Sequence, residues 1–157
     1  MTEPTLEARV RRLEDIEALK TLKCRYAEYC DNAYNPDQLA PLFTEDAIWD
    51  GGVLGRVEGR EAIRAFFTVA SRAMPFAIHH VSNPAIEVDG DRATGTWLLW
   101  QPCVHASGPA LWIAGRYQDE YRREDGVWRF ARVTFRPNVI SPYEAGWAQA
   151  RMIEVPA

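Results

Sequence analysis

The spacing of apolar residues changes from a helical to a strand-like period near residue 75, and this change limits the possible folds more than any other feature of the chain. Before it, apolar residues recur every three or four positions, with charged residues between them, over about residues 5–31: Leu6, Val10, Leu13, Ile16, Leu19, Leu22 and Tyr26. That period predicts one long amphipathic helix.

Two further helices and a short strand are predicted before the change of period. Asn35 and Pro36 favour a helix start, because asparagine caps free backbone N–H groups and proline fits the first helical turn. Gln38 stands at the capping-box position behind them. A strand is predicted at about residues 47–49, and a third helix over about residues 60–72.

The second half of the chain has the composition of β-strands. Four stretches are predicted as strands: about 76–88, 92–105, 110–123 and 127–139. Asp89-Gly90 and Asp125-Gly126 between them are residue pairs typical of tight hairpin turns. Helices followed by such a meander predict an α+β fold with three N-terminal helices packed on a curved antiparallel sheet.

Length, charge and cysteine content restrict the class of protein. At 157 residues the chain is expected to form a single domain, 1–157. The net charge of −4 argues against a nucleic-acid or anionic membrane partner, and the sequence has neither a membrane-spanning apolar run nor the layout of a signal peptide. Cys24, Cys30 and Cys103 are an odd, scattered set, which predicts a reducing, cytoplasmic location.

Apolar residues on both sides of one predicted strand indicate a further subunit. In 92–105, Trp97 and Cys103 share one face while Leu98 and Trp100 share the other. A sheet that is apolar on both faces is covered on both faces. The helices would supply one cover and a second copy of the chain the other, so we expect a homo-oligomer, a trimer or a dimer.

Few residues can carry acid–base chemistry. Three histidines are present, and neighbouring positions on a strand face opposite sides, so either His79 or His80 points inward while His105 stands apart. Asp31 ends the first helix, where the helix dipole disfavours a negative charge. Taken alone, Asp31 is more typical of a solvated turn residue. An isolated inward histidine is likewise more often a hydrogen-bonded core residue than a catalyst. No CxxC or HxxxH spacing is present, and no metal site is predicted.

Several sequence segments resemble SnoaL-like proteins of the nuclear transport factor 2-like superfamily. The hairpin from Tyr117 to Phe130 carries the resemblance, together with the opening from Ile16 through Asp31 to Trp49 and the segment from Gly59 to His79. The match spans a core of about residues 6–140 and leaves a C-terminal tail, 141–157, which is expected to cover the pocket or an oligomer contact. It implies a cone-shaped α+β barrel around a deep apolar pocket.

Within that superfamily the chain is most similar to a group of lyases comprising scytalone dehydratase, bile-acid dehydratase and hexachlorocyclohexane dehydrochlorinase. The resemblance implies that His79 is a general base and that Asp31 orients it. It also implies a catalytic role for Tyr26 and no cofactor. The residues expected to contact the substrate are Trp49, Trp97, Gln101, Cys103, Tyr117 and Tyr29.

The chain departs from each of these enzymes at a residue that would help the leaving group. Gln101 replaces a second aspartate of the bile-acid enzyme, and Cys103 replaces a second histidine of scytalone dehydratase. Val133 stands near the place of a late arginine of the dehydrochlorinase, with Arg132 and Arg136 close by.

The predicted function is therefore a cofactor-independent, dehydratase-like β-elimination on a cyclic, largely apolar small molecule. Two alternatives remain open on the same fold. One is an isomerase or cyclase of the ketosteroid isomerase type, and the other is a non-catalytic small-molecule-binding protein.

Overall fold

The computed structural model describes residues 3–154. The first helix, α1, spans Leu6–Asp31, and Thr5 caps it by accepting a hydrogen bond from the backbone N–H of Ala8. Its apolar stripe is buried only from about Asp15 onward. Leu6, Val10 and Leu13 are exposed, so the first turns of α1 extend beyond the sheet.

The second helix begins where the sequence predicts. Helix α2 spans Pro36–Leu39, and the Asn35 side chain accepts from the backbone N–H groups of Asp37 and Gln38 at 3.1 and 3.2 Å. Gln38 does not complete a capping box, because its side-chain oxygen accepts from the side-chain amide of Asn32 instead. A short 3₁₀ turn, Ala40–Leu42, leads into the sheet.

The remaining elements complete an α+β fold. After strands β1 (Phe43–Asp50) and β2 (Arg56–Glu58) comes helix α3 (Arg60–Ala73). The second half contains β3 (Phe76–Ala77), β4 (His80–Asp89), β5 (Arg92–Val104), β6 (Ala110–Glu124), β7 (Val127–Pro142) and a short helix α4 (Gly146–Gln149).

The seven strands form one curved, unclosed sheet against which the helices pack. Its order is β2-β1-β7-β6-β5-β3, and β4 also pairs with β5. The predicted α+β fold with helices on a curved sheet is confirmed, and the sheet is mixed, since β1 and β7 are parallel while the other pairs are antiparallel. These two strands are far apart in the chain, so no hairpin forces them to run in opposite directions. The predicted hairpin turns are present, with positive φ at Gly90, Asp125 and Gly126.

Alternation along β5 and β6 separates an inner from an outer face. On β6 the odd-numbered residues are buried, among them Tyr117, Asp119 and Tyr121. Asp119 forms a fully buried ion pair with Lys23 of α1, with 2.8 Å between the ammonium nitrogen and a carboxylate oxygen. This pair lies beneath Tyr117, whose ring centroid is 3.5 Å from the ammonium nitrogen.

The outer face of the sheet remains partly exposed. Leu98 and Trp100 of β5 are each more than one third accessible, and Trp100 stacks on Trp112 of β6. The segment after β7 folds back over this face, where Trp147 packs against both tryptophans. As far as residue 154, the tail therefore covers the outer face of the sheet and does not line the cavity described below. Residues 155–157 lie outside the described part of the chain. No helix of residues 3–154 is long and apolar enough to cross a membrane.

Candidate active site

His79 and Asp31 are in direct contact although 48 positions separate them in the chain. One carboxylate oxygen, Oδ1, lies 2.7 Å from Nδ1 of the imidazole and 2.8 Å from the backbone nitrogen of the same histidine. The backbone group can only donate, and a carboxylate can only accept. The carboxylate therefore also accepts from an Nδ1–H group, which leaves Nε2 as the ring nitrogen with a free lone pair.

A break in the sheet makes this contact possible. The single strand expected at 76–88 is interrupted between Ala77 and His80, and His79 lies in the gap. Pro102, on the facing strand, has no N–H group to donate to the ladder at this point. The backbone N–H of Ile78 still donates to the Pro102 carbonyl at 3.1 Å, and the N–H of His79, one residue on, points away from β5 and donates to Asp31. As the sequence predicts, one histidine of the pair is buried, His79, and the other, His80, is exposed.

The same contact explains why a negatively charged residue, Asp31, is tolerated at the C-terminal end of α1. A negative charge there is disfavoured by about 0.3–1 kcal/mol through the helix dipole. Two hydrogen bonds from His79 offset that cost, since hydrogen bonds to a charged group contribute about 1.5–3 kcal/mol each.

Tyr34 approaches the free nitrogen of His79. Its hydroxyl lies 3.4 Å from Nε2 and accepts a hydrogen bond from the Gln101 side-chain amide at 3.1 Å. Burial raises the pKa of Tyr34 well above the ordinary value for tyrosine, so the phenol keeps its proton. Ala33 and Tyr34 both have positive φ, and this sharp turn after α1 directs the ring back toward the sheet.

Tyr26 and Trp49 form a second polar contact in the same region. The indole N–H of Trp49 donates to the phenolic oxygen of Tyr26 across 3.0 Å. Burial raises the pKa of Tyr26 well above its ordinary value. The indole N–H thus occupies one lone pair of the phenolic oxygen and fixes the Tyr26 hydroxyl in the cavity wall.

These side chains meet at one largely apolar cavity of about 220 Å³. The residues with polar groups that line it are Tyr26, Tyr34, Trp49, His79, Gln101, His105 and Tyr117. The apolar lining consists of Leu54, Phe66, Phe67, Val69, Ala70, Ala73, Met74, Leu99, Ile113 and Phe135. The volume is below the roughly 300–1,000 Å³ usual for drug-sized ligands, so the cavity suits a small molecule of one or two rings.

Three residues that the sequence analysis assigns to substrate binding do not line this cavity. The indole N–H of Trp97 donates to the Tyr121 hydroxyl at 3.0 Å, in the core beside Asp119. Cys103 is buried against the backbone of Leu111. Tyr29 is half-buried at the margin of the core and does not line the cavity. The alternation rule places Trp97 and Cys103 on the inner face correctly. Trp97 lies beyond the cavity, whereas Cys103 lies between Gln101 and His105 but directs its thiol to the Leu111 carbonyl.

The arginines near Val133 do not reach the cavity either. Arg136 pairs with Asp50 at 2.9 Å, and Arg132 lies 3.5 Å from Glu120. Both guanidinium groups are on the surface of the sheet, and Val133 itself is fully buried. Within residues 3–154, no cluster of three His, Cys, Asp or Glu side chains is arranged to hold a metal ion.

Two cavity residues carry polar groups that the sequence analysis leaves without a role. Tyr34 lies between Ala33 and Asn35 in a turn, and no periodic pattern marks it as inward-facing. His105 has the same parity as Gln101 and Cys103 on β5, so extending the alternation by two residues would place it on the inner face.

The fold and these residues define a SnoaL-like protein. The model of the SnoaL-like domain family matches residues 11–134, and the chain belongs to that family within the nuclear transport factor 2-like superfamily.

Several individual proteins are similar to this chain. The gamma-hexachlorocyclohexane dehydrochlorinase of Sphingobium indicum is 31% identical over 109 residues, which are 67% of this chain and 69% of that enzyme. The crystal structure of LinA has a TM-score of 0.81 at 26% identity and covers 88% of this chain and 95% of its own. A protein of Novosphingobium aromaticivorans, proposed to be an aromatic ring hydroxylase, has a TM-score of 0.77 at 30% identity, covering 83% and 94% of the two chains.

Proposed function

We propose that the protein is a cofactor-independent lyase that removes water, or another small leaving group, from a cyclic and largely apolar molecule by β-elimination. One observation carries the proposal. The His79 ring, held by Asp31 through Nδ1, lines an apolar cavity, and the lone pair of its Nε2 faces the Tyr34 hydroxyl at 3.4 Å, a contact long enough for a substrate to displace. Similarity to a dehydrochlorinase, itself named for an elimination, supports the same class of reaction.

His79 would act as the general base. Its Nε2 takes a proton from a substrate carbon, the electrons of that C–H bond form the new double bond, and the bond to the leaving oxygen breaks. Asp31 stabilises the imidazolium that forms and keeps the ring in the orientation that exposes Nε2. The oxygen leaves with its electron pair and receives the proton that His79 gives up, so that water is released and the base is regenerated.

Two phenols supply the hydrogen-bond donors that the reaction needs. The Trp49 indole holds the oxygen of Tyr26, and Gln101 holds the oxygen of Tyr34, whose O–H faces Nε2 of His79 until a substrate displaces that contact. Both keep their protons because burial raises their pKa values. A buried donor that faces developing negative charge stabilises the transition state more than the ground state. Tyr117 contributes cavity wall above the buried Lys23–Asp119 pair.

A ketosteroid isomerase-type reaction is the second candidate, because the same two phenols would also stabilise an enolate. In that reaction the base returns its proton to another carbon and nothing leaves. A binding-only protein would use the same cavity without turnover.

Turnover of small hydroxylated one- and two-ring compounds, followed by mass spectrometry, tests the proposal. We expect products that have lost one water, and we expect His79→Ala and Asp31→Asn to lower the rate at least about 100-fold, since a positioned base contributes about 10²–10⁴-fold. His80→Ala is the matched control, because His80 is exposed and adjacent. A product of unchanged mass would establish isomerisation. Full activity in both His79 and Asp31 variants would exclude the mechanism.

We further propose that the protein is a homo-oligomer in a reducing, cytoplasmic compartment. The partly exposed apolar outer face at Leu98 and Trp100 supports the expected homo-oligomer, which light scattering of the purified protein tests. Cys24, Cys30 and Cys103 are all free, which supports a reducing, cytoplasmic compartment.

A further inference from the structure

A second histidine lines the cavity and has no part in the reaction proposed above. His105 follows the last residue of β5 and is 5% exposed. It lies on the same face of β5 as Gln101, and both side chains belong to the cavity wall. A buried imidazole in an otherwise apolar wall needs hydrogen-bond partners, so its contacts indicate how the ring is oriented.

Ser107 determines which nitrogen of His105 carries the proton. The backbone N–H of Ser107 donates to Nδ1 at 3.2 Å, and the Ser107 hydroxyl lies 2.7 Å from the same nitrogen. A backbone N–H is a donor only, so Nδ1 is an acceptor and the proton of the neutral ring is on Nε2. Among residues 3–154 no protein group forms a hydrogen bond with that Nε2–H.

The turn that carries His105 is tied to its surroundings by backbone hydrogen bonds. The N–H of His105 donates to the Pro109 carbonyl at 3.0 Å, and its own carbonyl accepts from Gly108 at 2.8 Å. The next residue, Ala106, donates to the carbonyl of Ala73 at the end of α3. The ring therefore has a fixed place between β5 and α3, which a mobile loop would not give it.

His105 and His79 lie toward different ends of the cavity. His79 faces Gln101 across the sheet, because Ala77 pairs with Cys103 and His80 pairs with Trp100. His105 is four residues beyond Gln101, which is roughly 13 Å along a strand at about 3.3 Å per residue. A molecule of two fused rings that occupies the cavity has one end near His79 and the other near His105.

We infer that His105 is a substrate-positioning residue that donates its Nε2–H to an oxygen at the end of the substrate remote from the reacting carbon. The substrate class is then a one- or two-ring molecule that carries a hydroxyl or carbonyl oxygen at that remote end. The inference rests on the proposed function only in taking this cavity as the substrate site.

Binding of two matched probes by isothermal titration calorimetry tests this inference. 2,6-Dihydroxynaphthalene has an oxygen at each end, and 2-naphthol has one oxygen. We expect the wild-type protein to bind the diol about fivefold more tightly, the value of one additional hydrogen bond. His105→Phe keeps the ring volume without the donor and should remove the preference, whereas His105→Gln, which retains a donor, should restore part of it. Ser107→Ala should reduce the preference, because Nδ1 loses its hydroxyl partner.

Two controls separate this result from other causes. Thermal unfolding of His105→Phe should match the wild type to within a few degrees. His79→Ala should retain the diol preference, because Tyr34 and Gln101 remain to bind the oxygen at the opposite end from His105. This preference of His79→Ala for the diol does not depend on the lyase proposal. The test of His105 can therefore fail or succeed independently of that proposal. A diol preference that survives in His105→Phe, equal affinity of the two probes for the wild type, or binding of neither probe would overturn the inference.

Discussion

One carboxylate oxygen of Asp31 joins both the backbone and the ring of His79. The two contacts, at 2.8 and 2.7 Å, fix the position of the main chain and the rotation of the imidazole at the same time. A single side chain from the end of α1 thereby orients a residue in the gap between two strands. Rotation of the ring would break a charge-assisted hydrogen bond, which is about twice as strong as a neutral one.

Replacing Trp49 with phenylalanine should reduce activity more than stability. The change removes the indole N–H that holds the Tyr26 hydroxyl, so the phenol loses its fixed orientation. We expect kcat/KM to fall about fivefold or more, the value of one hydrogen bond. Trp97→Phe is the matched control, since Trp97 makes the same 3.0 Å contact to Tyr121 away from the cavity. Comparable loss of activity in both variants would contradict the assignment of Tyr26.

The buried tyrosines should make the fold sensitive to alkali. Burial raises the pKa of Tyr34 well above the ordinary 10.0. Above pH 10 the unfolded chain loses the phenolic proton while the folded chain retains it, so the unfolded state binds fewer protons and stability falls as pH rises. Each such tyrosine contributes at most about 1.4 kcal/mol per pH unit.

Urea unfolding at several values above pH 10.5 measures this effect. The range avoids the opposite contribution of Lys23, whose pKa burial lowers from 10.5. Tyr34→Phe should give a shallower fall of unfolding free energy with pH than the wild type. Tyr143→Phe, at an exposed position, should leave the slope unchanged. Parallel curves for the wild type and Tyr34→Phe would contradict the expectation.

Separating the buried ion pair should destabilise the fold strongly. Lys23 and Asp119 are both fully buried, and one carboxylate oxygen, Asp119 Oδ1, has no hydrogen-bond partner among the described residues. Lys23→Met leaves an uncompensated buried carboxylate, which costs about 3–5 kcal/mol in unfolding free energy. Adding Asp119→Leu should recover most of that loss. A double variant less stable than Lys23→Met alone would show that the pair has a different role.

Alkylation should distinguish the three cysteines. Cys24 is exposed, whereas Cys30 and Cys103 are buried, and burial raises the pKa of the Cys103 thiol to about 12. At pH 8 only about one Cys103 thiol in ten thousand is then ionised, and the thiolate is the reactive form. Iodoacetamide should label Cys24 in the native protein and the other two only in urea, as peptide mapping would report. Native labelling of Cys103 at the rate of Cys24 would contradict its placement.

Local patterns in the sequence predict the fold well where neighbours in the chain decide the structure. The period of α1, the cap at Asn35 and the turn residues at Asp125 all act within a few positions, and the structure contains each of them. The parallel pairing of β1 with β7 has no local signal. The break between β3 and β4, just before His80, has only a weak signal in the local sequence, because the facing residue, Pro102, belongs to another strand.

The candidate site divides in the same way. The resemblance implies that His79 and Asp31 act as a pair, and in the structure the two side chains are in contact. Tyr34 reaches the cavity because Ala33 and Tyr34 both have positive φ in the turn after α1. Alanine rarely adopts this conformation, so the sequence does not predict it. The cavity also ends short of Trp97, because its limits are set by how α1 and α3 pack on the sheet and not by the alternation of one strand.

Nitrogen-15 NMR of the imidazole rings at pH above the titration of histidine tests the central claim most directly. If Asp31 orients His79 as a base, the His79 ring carries its proton on Nδ1, and Asp31→Asn shifts the tautomer population. That result does not require a known substrate. A wild-type His79 protonated on Nε2 would have no lone pair directed to the cavity, and the elimination mechanism would be wrong.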